Sequence, residues 1–108
     1  MALLTKEETL EEAEALWRWL AKSGNCYKYL WPGWSRLGPM LADCPLCEYS
    51  RSCRHCPLYS KWTSFSPSRC TDDGSPYRTW ENSKAINARR KAAKQVADLI
   101  HVELEAIK

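Results

Sequence analysis

The sequence predicts a mainly α protein: two helices, over about residues 6–23 and 84–106, packed around a loop-rich middle stapled by zinc. Three observations carry this. Apolar residues recur at helical spacing near both ends of the chain, turn-forming dipeptides crowd the centre, and five cysteines cluster between residues 44 and 70. With 108 residues the chain is expected to form one domain with a modest core, near the size at which a metal staple adds appreciably to stability.

The first helix is announced by its cap. Thr5 followed by Glu8 is a capping box, and the acids of the first turn suit a helix N-terminus. Leu10, Ala13, Trp17, Leu20 and Ala21 then mark one face, with Leu16 widening the stripe. Glu14 and Arg18 stand one turn apart on the side expected to be wet. Gly24 fits the left-handed residue that ends a helix. Trp17 and Trp19 point in different directions, so one belongs to the core and the other faces the middle or a ligand.

Residues 25–43 form an aromatic loop, in which Pro32-Gly33 and Gly38-Pro39 mark turns and argue against a long regular element. The cysteine module covers 44–70, and a polar loop over 71–83 leads to Pro76-Tyr77-Arg78-Thr79-Trp80, where the chain returns to something that packs. Asn82 or Ser83 is the expected cap of the last helix. Ile86, Ala93, Val96, Ala97, Ile100, Leu104 and Ile107 line one face of that helix. Its length, roughly 33 Å at the helical rise, makes it the spine.

The module reads Cys44-Pro45-Leu46-Cys47, then Cys53-Arg54-His55-Cys56-Pro57-Leu58-Tyr59, and is completed by Cys70. Two CxxC pairs and a later cysteine suit a tetrahedral zinc site, because each short turn brings two thiolates to one ion. Cys44 and Cys47 are the first pair of ligands, Cys56 the third and Cys70 the fourth; Cys53 substitutes for either Cys70 or Cys56. His55 reads as a basic surface side chain, and His101 has no metal role. The spacing is looser than that of ferredoxin clusters, and a redox CxxC would need a βαβ setting that is missing. Nothing at the N-terminus resembles a secretory signal, so a reducing cytoplasm is expected, where clustered thiols favour metal over disulfides. No apolar run is long enough to cross a membrane. Cys26 stands apart and reads as a small buried hydrophobe.

Catalysis finds little support. A four-thiolate zinc site lacks the open position that activates water. No H-x-E deaminase motif and no glycine-rich phosphate loop occurs, and Asp72 and Asp73 read as turn-formers. The expected activity is binding, and the protein is read as no enzyme.

Composition leaves the ligand open. Net charge is only +3, but Lys84, Arg89, Arg90, Lys91 and Lys94 follow one another with no acid among them, whereas Glu7, Glu8, Glu11, Glu12 and Glu14 open the chain. The basic run reads as a solvated face, as a partner for the acidic first helix, or as an anion site near a helix N-terminus. Six tryptophans beside one phenylalanine serve equally as core or as stacking surface.

The ordered set Cys44, Cys47, Cys53, Cys56, Pro57, Tyr59, Cys70, Pro76, Tyr77 and Trp80 resembles a group of small cysteine-rich proteins of bacteriophages and prophages, over about residues 6–81. The resemblance implies a phage accessory protein acting in the bacterial cytoplasm and assigns no reaction. A protein that counters a host defence is then expected, by binding a nucleotide signal or a host defence protein. Arg78, Trp80, Arg89, Arg90, Lys94, Trp31 and Trp34 are the candidate ligand-binding residues, because arginines clamp phosphates and tryptophans stack bases. Two other classes compete. One is a zinc-ribbon-like nucleic-acid binder, to which Arg51, Arg54 and Lys61 would add phosphate contacts. The other is a protein-binding adaptor or homo-oligomer built on the long helix.

Overall fold

The computed structural model describes residues 5–34, 58–59, 61–62, 72 and 74–107. Among these the chain forms three α-helices and no strand: α1 (Lys6–Ser23), α2 (Pro76–Asn82) and α3 (Ile86–Ala106). A single 3-10 turn, Lys28–Leu30, follows α1.

Local chemistry sets the ends of α1. The Thr5 side chain accepts from the Glu8 N–H at 3.0 Å, and Glu8 accepts from the Thr5 N–H at 2.9 Å. That reciprocal pair holds the Glu8 carboxyl below its usual range, chiefly through the backbone bond. At the other end Gly24 takes φ 71°, and its N–H returns to the Leu20 carbonyl. A side chain at Gly24 would meet Ile86 Cγ1 at 2.4 Å, so this glycine serves both the left-handed turn and the approach of α3.

α2 corrects the reading of 71–83 as a polar loop. Ser75 is its N-cap, accepting from the Arg78 N–H at 3.1 Å, and Pro76 fills the first turn, where a missing N–H costs nothing. α3 consequently starts later than the sequence predicts. Asn82 is the last residue of α2, Ser83 ends it, and the N-cap of α3 is Ala85, with no side-chain cap.

α1 and α3 pack antiparallel, as their cross-links show: Arg18 reaches Asp98, Glu14 reaches His101, and residues near Gly24 meet Arg89 and Arg90. Leu10, Ala13, Leu16, Trp17 and Leu20 from α1 close against Ala93, Val96, Ala97, Ile100 and Leu104 from α3 in one buried cluster. The small residues of α3 let the two backbones approach closely. Ile86 and Ile107, assigned by periodicity to the same face, are both exposed because they sit at the helix ends, where Ile86 meets α1 only at Gly24. Cys26 is also exposed, lying past the end of α1 rather than in the core.

The seam between α1 and α3 carries a charged strip. Arg18 holds Asp98 at 2.8 Å and Glu14 at 3.1 Å, so Glu14 and Arg18 bridge the helices instead of standing on a purely wet face. The hydrogen bond from Arg18 is the main reason that the Asp98 carboxyl lies below its usual range. A depressed folded pKa stabilises the fold above the unfolded value, about 3.9, and that stability is lost as pH falls through the folded pKa. Acid titration from about pH 5 downward is therefore expected to destabilise wild type slightly more than Asp98→Asn. The difference should be only a few tenths of a kcal/mol, since the pair is solvent-screened. Urea midpoints measured across that range check it.

Candidate functional site

The structure distributes the sequence-predicted ligand residues over separate tasks. Trp80 is 5% exposed and Trp31 is 7% exposed, so neither presents a free face for stacking. The Trp31 ring folds back over Gly33, where a Cβ would lie 2.4 Å from Cζ2. Trp34 packs partly buried against the same core. Trp80 meets Trp17 edge-to-face at 5.0 Å, and Lys28 places its ammonium 5.9 Å from the Trp80 ring centre while donating to the Tyr77 hydroxyl at 2.7 Å. Arg78 pairs with Glu81 one turn on, at 2.8 Å, and Lys94 with Asp98 at 3.1 Å.

Arg89 and Arg90 have a specific structural use. Arg89 Nε donates to the Gly24 carbonyl at 3.0 Å and its Nη1 to the Lys84 carbonyl at 3.1 Å. Arg90 Nε donates to the Ala21 carbonyl at 3.1 Å. Cations therefore complete the carbonyl end of α1, which its own chain leaves short of donors. The antiparallel packing also resolves a puzzle of the sequence. Bases at the start of α3 oppose that helix's own dipole, yet they lie beside the negative end of α1. Pairing of these bases with the acids that open α1 is replaced by contact with its last carbonyls. Replacing both arginines by alanine is expected to cost about 1 kcal/mol, discounted from the usual charged hydrogen bond for exposure. Lys91→Ala should cost almost nothing, and urea unfolding separates the two outcomes.

One end of the helical pair is thus uniformly basic. Lys22 closes α1, Lys28 follows it, and Lys84, Arg89, Arg90 and Lys91 surround the start of α3. No acid occurs from residue 15 to 34 or from 83 to 97. The opposite end gathers Glu7, Glu8, Glu11 and Glu12 with Glu103 and Glu105, against which Lys61 pairs with Glu103 at 2.9 Å. Beside the basic end, Tyr27 and Tyr29 are 51% and 60% exposed, with ring centres 5.4 Å apart. The sequence signal for this pair is Tyr-Lys-Tyr just beyond a helix stop, which composition alone does not separate from core aromatics.

Described residues line a groove on each side of α3. The larger, about 440 Å³, lies between α2 and α3 and is lined by Trp62, Pro76, Gln95, Leu99 and Val102, among others. The smaller, about 340 Å³, runs along Glu11, Glu14, Ala15 and Arg18. Neither borders the tyrosine pair.

Cys44, Cys47, Cys53, Cys56 and Cys70, with His55, Arg51 and Arg54, lie outside the described residues. Their neighbours in the chain do not: Leu58 is fully buried and Trp62 is 6% exposed, both in the core cluster. No group of three or more potential metal ligands occurs among the described residues, and no helix among them is long and apolar enough to cross a membrane. No family model matches the chain, and no curated protein or solved structure matches it.

Proposed function

We propose that this chain is a zinc-stabilised binding protein of the small cysteine-rich phage kind, acting in the bacterial cytoplasm on a phosphate-bearing partner rather than catalysing a reaction. Cys44, Cys47, Cys56 and Cys70 hold the zinc, with Cys53 as the substitute ligand. The core position of Leu58 and Trp62 supports a module anchored at the helices. The metal is structural: four thiolates leave no open position for water.

The observation that carries the binding reading is the basic end of the α1–α3 pair. Lys22 and Lys91 make no ion pair there with any described residue, and the nearest acid ahead of Lys84 in the chain, Glu81, is paired with Arg78. Such a field concentrates anions. In a phage setting the role is counter-defence, with a nucleotide signal as the phosphate-bearing ligand. A host defence protein is the second reading, favoured by the exposed Tyr27, Tyr29, Leu30 and Ile86 at the same end.

A thermal-shift panel of mono-, di- and cyclic nucleotides with heparin tests the reading. At least one anion is expected to raise the melting temperature by several degrees at saturating concentration. A flat panel across all of them at low salt removes the anion reading and leaves the protein-binding one.

A further inference from the structure

We infer that the phosphate-bearing ligand is single-stranded nucleic acid, stacked on the Tyr27–Tyr29 pair with its backbone along the start of α3. The inference rests on the anion-binding reading and puts a single strand in place of the nucleotide signal as the ligand.

Single-strand binding combines a basic track for phosphates with exposed aromatic faces for bases. Both are present and adjoining. The two tyrosine rings lie 5.4 Å apart at 39°, over half exposed, and are held by local geometry rather than by burial. Asn25 accepts from the Tyr27 N–H at 2.9 Å, the Trp31 N–H returns to the Lys28 carbonyl at 3.0 Å, and Lys28 is pinned to Tyr77. The rings are therefore presented on an ordered turn. That turn begins at Gly24, whose carbonyl is held by Arg89 at 3.0 Å. Three residues of chain span at most about 11 Å, so Tyr27 stands close to the basic start of α3.

The charges are arranged as a track. Exposed Lys84 lies just ahead of α3, Arg89, Arg90 and Lys91 follow within its first two turns, and exposed Lys22 at the end of α1 extends the basic face towards the tyrosines. Arg90 engages α1 through Nε and remains exposed, leaving its outer nitrogens for a phosphate. An open basic face with stacking rings suits a polymer, which gathers affinity from several weak contacts. Duplex fits less well, since its stacked bases are closed to tyrosine rings. The tryptophans suggested by composition are not the stacking residues, because Trp31 and Trp80 are enclosed.

Fluorescence anisotropy of the full-length protein with a labelled oligothymidylate of about 20 nucleotides tests the inference. Binding is expected at about 50 mM salt, weakening steeply by about 200 mM. The double variant Tyr27→Ala, Tyr29→Ala should lose roughly tenfold or more in affinity while keeping its melting temperature, since both rings are exposed. Lys84→Glu with Lys91→Glu should also weaken binding. Unchanged affinity in the tyrosine variant, or a duplex bound as tightly as the single strand, overturns the inference. If heparin or a nucleotide stabilises the protein while the oligothymidylate does not bind, the inference fails and the anion reading stands. If none of these binds at low salt, both fall.

Discussion

Trp17→Ala is expected to remove about 3–5 kcal/mol of stability, a large share of the total for a domain of this size. Trp17 is 1% exposed at the centre of α1, and it is the ring through which that helix grips the rest of the core. Its indole meets Tyr77 edge-to-face at 5.6 Å and Trp80 at 5.0 Å, with interplanar angles of 68° and 81°. Tyr77 in turn meets Trp62 at 6.4 Å. Truncation therefore opens a cavity between α1 and the Tyr77 and Trp80 rings of α2, which rigid helix backbones fill poorly. Urea unfolding followed by far-ultraviolet circular dichroism should show a large fall in midpoint. Trp19→Ala, on a partly buried ring, should cost distinctly less. A double-mutant cycle with Trp80→Ala should return a coupling of about 0.5–1.5 kcal/mol, the worth of an edge-to-face pair beyond its burial. Equal losses for Trp17→Ala and Trp19→Ala would contradict this account of the core.

The difference between those two tryptophans shows where sequence reasoning succeeds. Helical spacing singles out Leu10, Ala13, Trp17 and Leu20, and the capping box and Gly24 mark the ends of α1, so that helix is legible from local chemistry. α2 is not. Seven residues are too few for periodicity to register, and its start, Ser75-Pro76, reads equally well as a turn. Once Pro76–Asn82 is helical, Asn82 and Ser83 are already used in ending it, and α3 must begin at Ile86.

Charge patterns were legible as a list of residues but not as an arrangement. The bases of α3 were visible, yet whether they face acids, solvent or a partner helix depends on the antiparallel packing. That packing gives Arg89 and Arg90 to the carbonyls of α1 and leaves Lys84 and Lys91 facing out. Aromatic residues posed the same difficulty. Tryptophan serves core and stacking surface alike, and only burial separates the enclosed Trp80 from the open Tyr27.

Chelation of the proposed zinc is expected to have the second large effect, and the described residues say why it should reach beyond the cysteines. Leu58 follows Cys56 closely in the chain, and Trp62 lies between Cys56 and Cys70. Both side chains belong to the buried cluster, and Lys61 between them pairs with Glu103 of α3 at 2.9 Å. If thiolate–zinc bonds fix this segment, removing the ion frees Leu58 and Trp62 to leave the core. Burial of each is worth about 1.5–3 kcal/mol or somewhat more for the larger ring. Their joint loss rivals the net stability of a small domain. A strong chelator added to reduced protein should therefore lower the melting temperature sharply and shift tryptophan emission to longer wavelength as Trp62 meets water. Zinc should restore both. Cys44→Ser is expected to reproduce the chelated state, whereas Cys26→Ser, at an exposed thiol apart from the cluster, should leave melting unchanged. A melting curve indifferent to chelator, with no zinc in freshly purified reduced protein, would remove the metal and leave Leu58 and Trp62 held by packing alone.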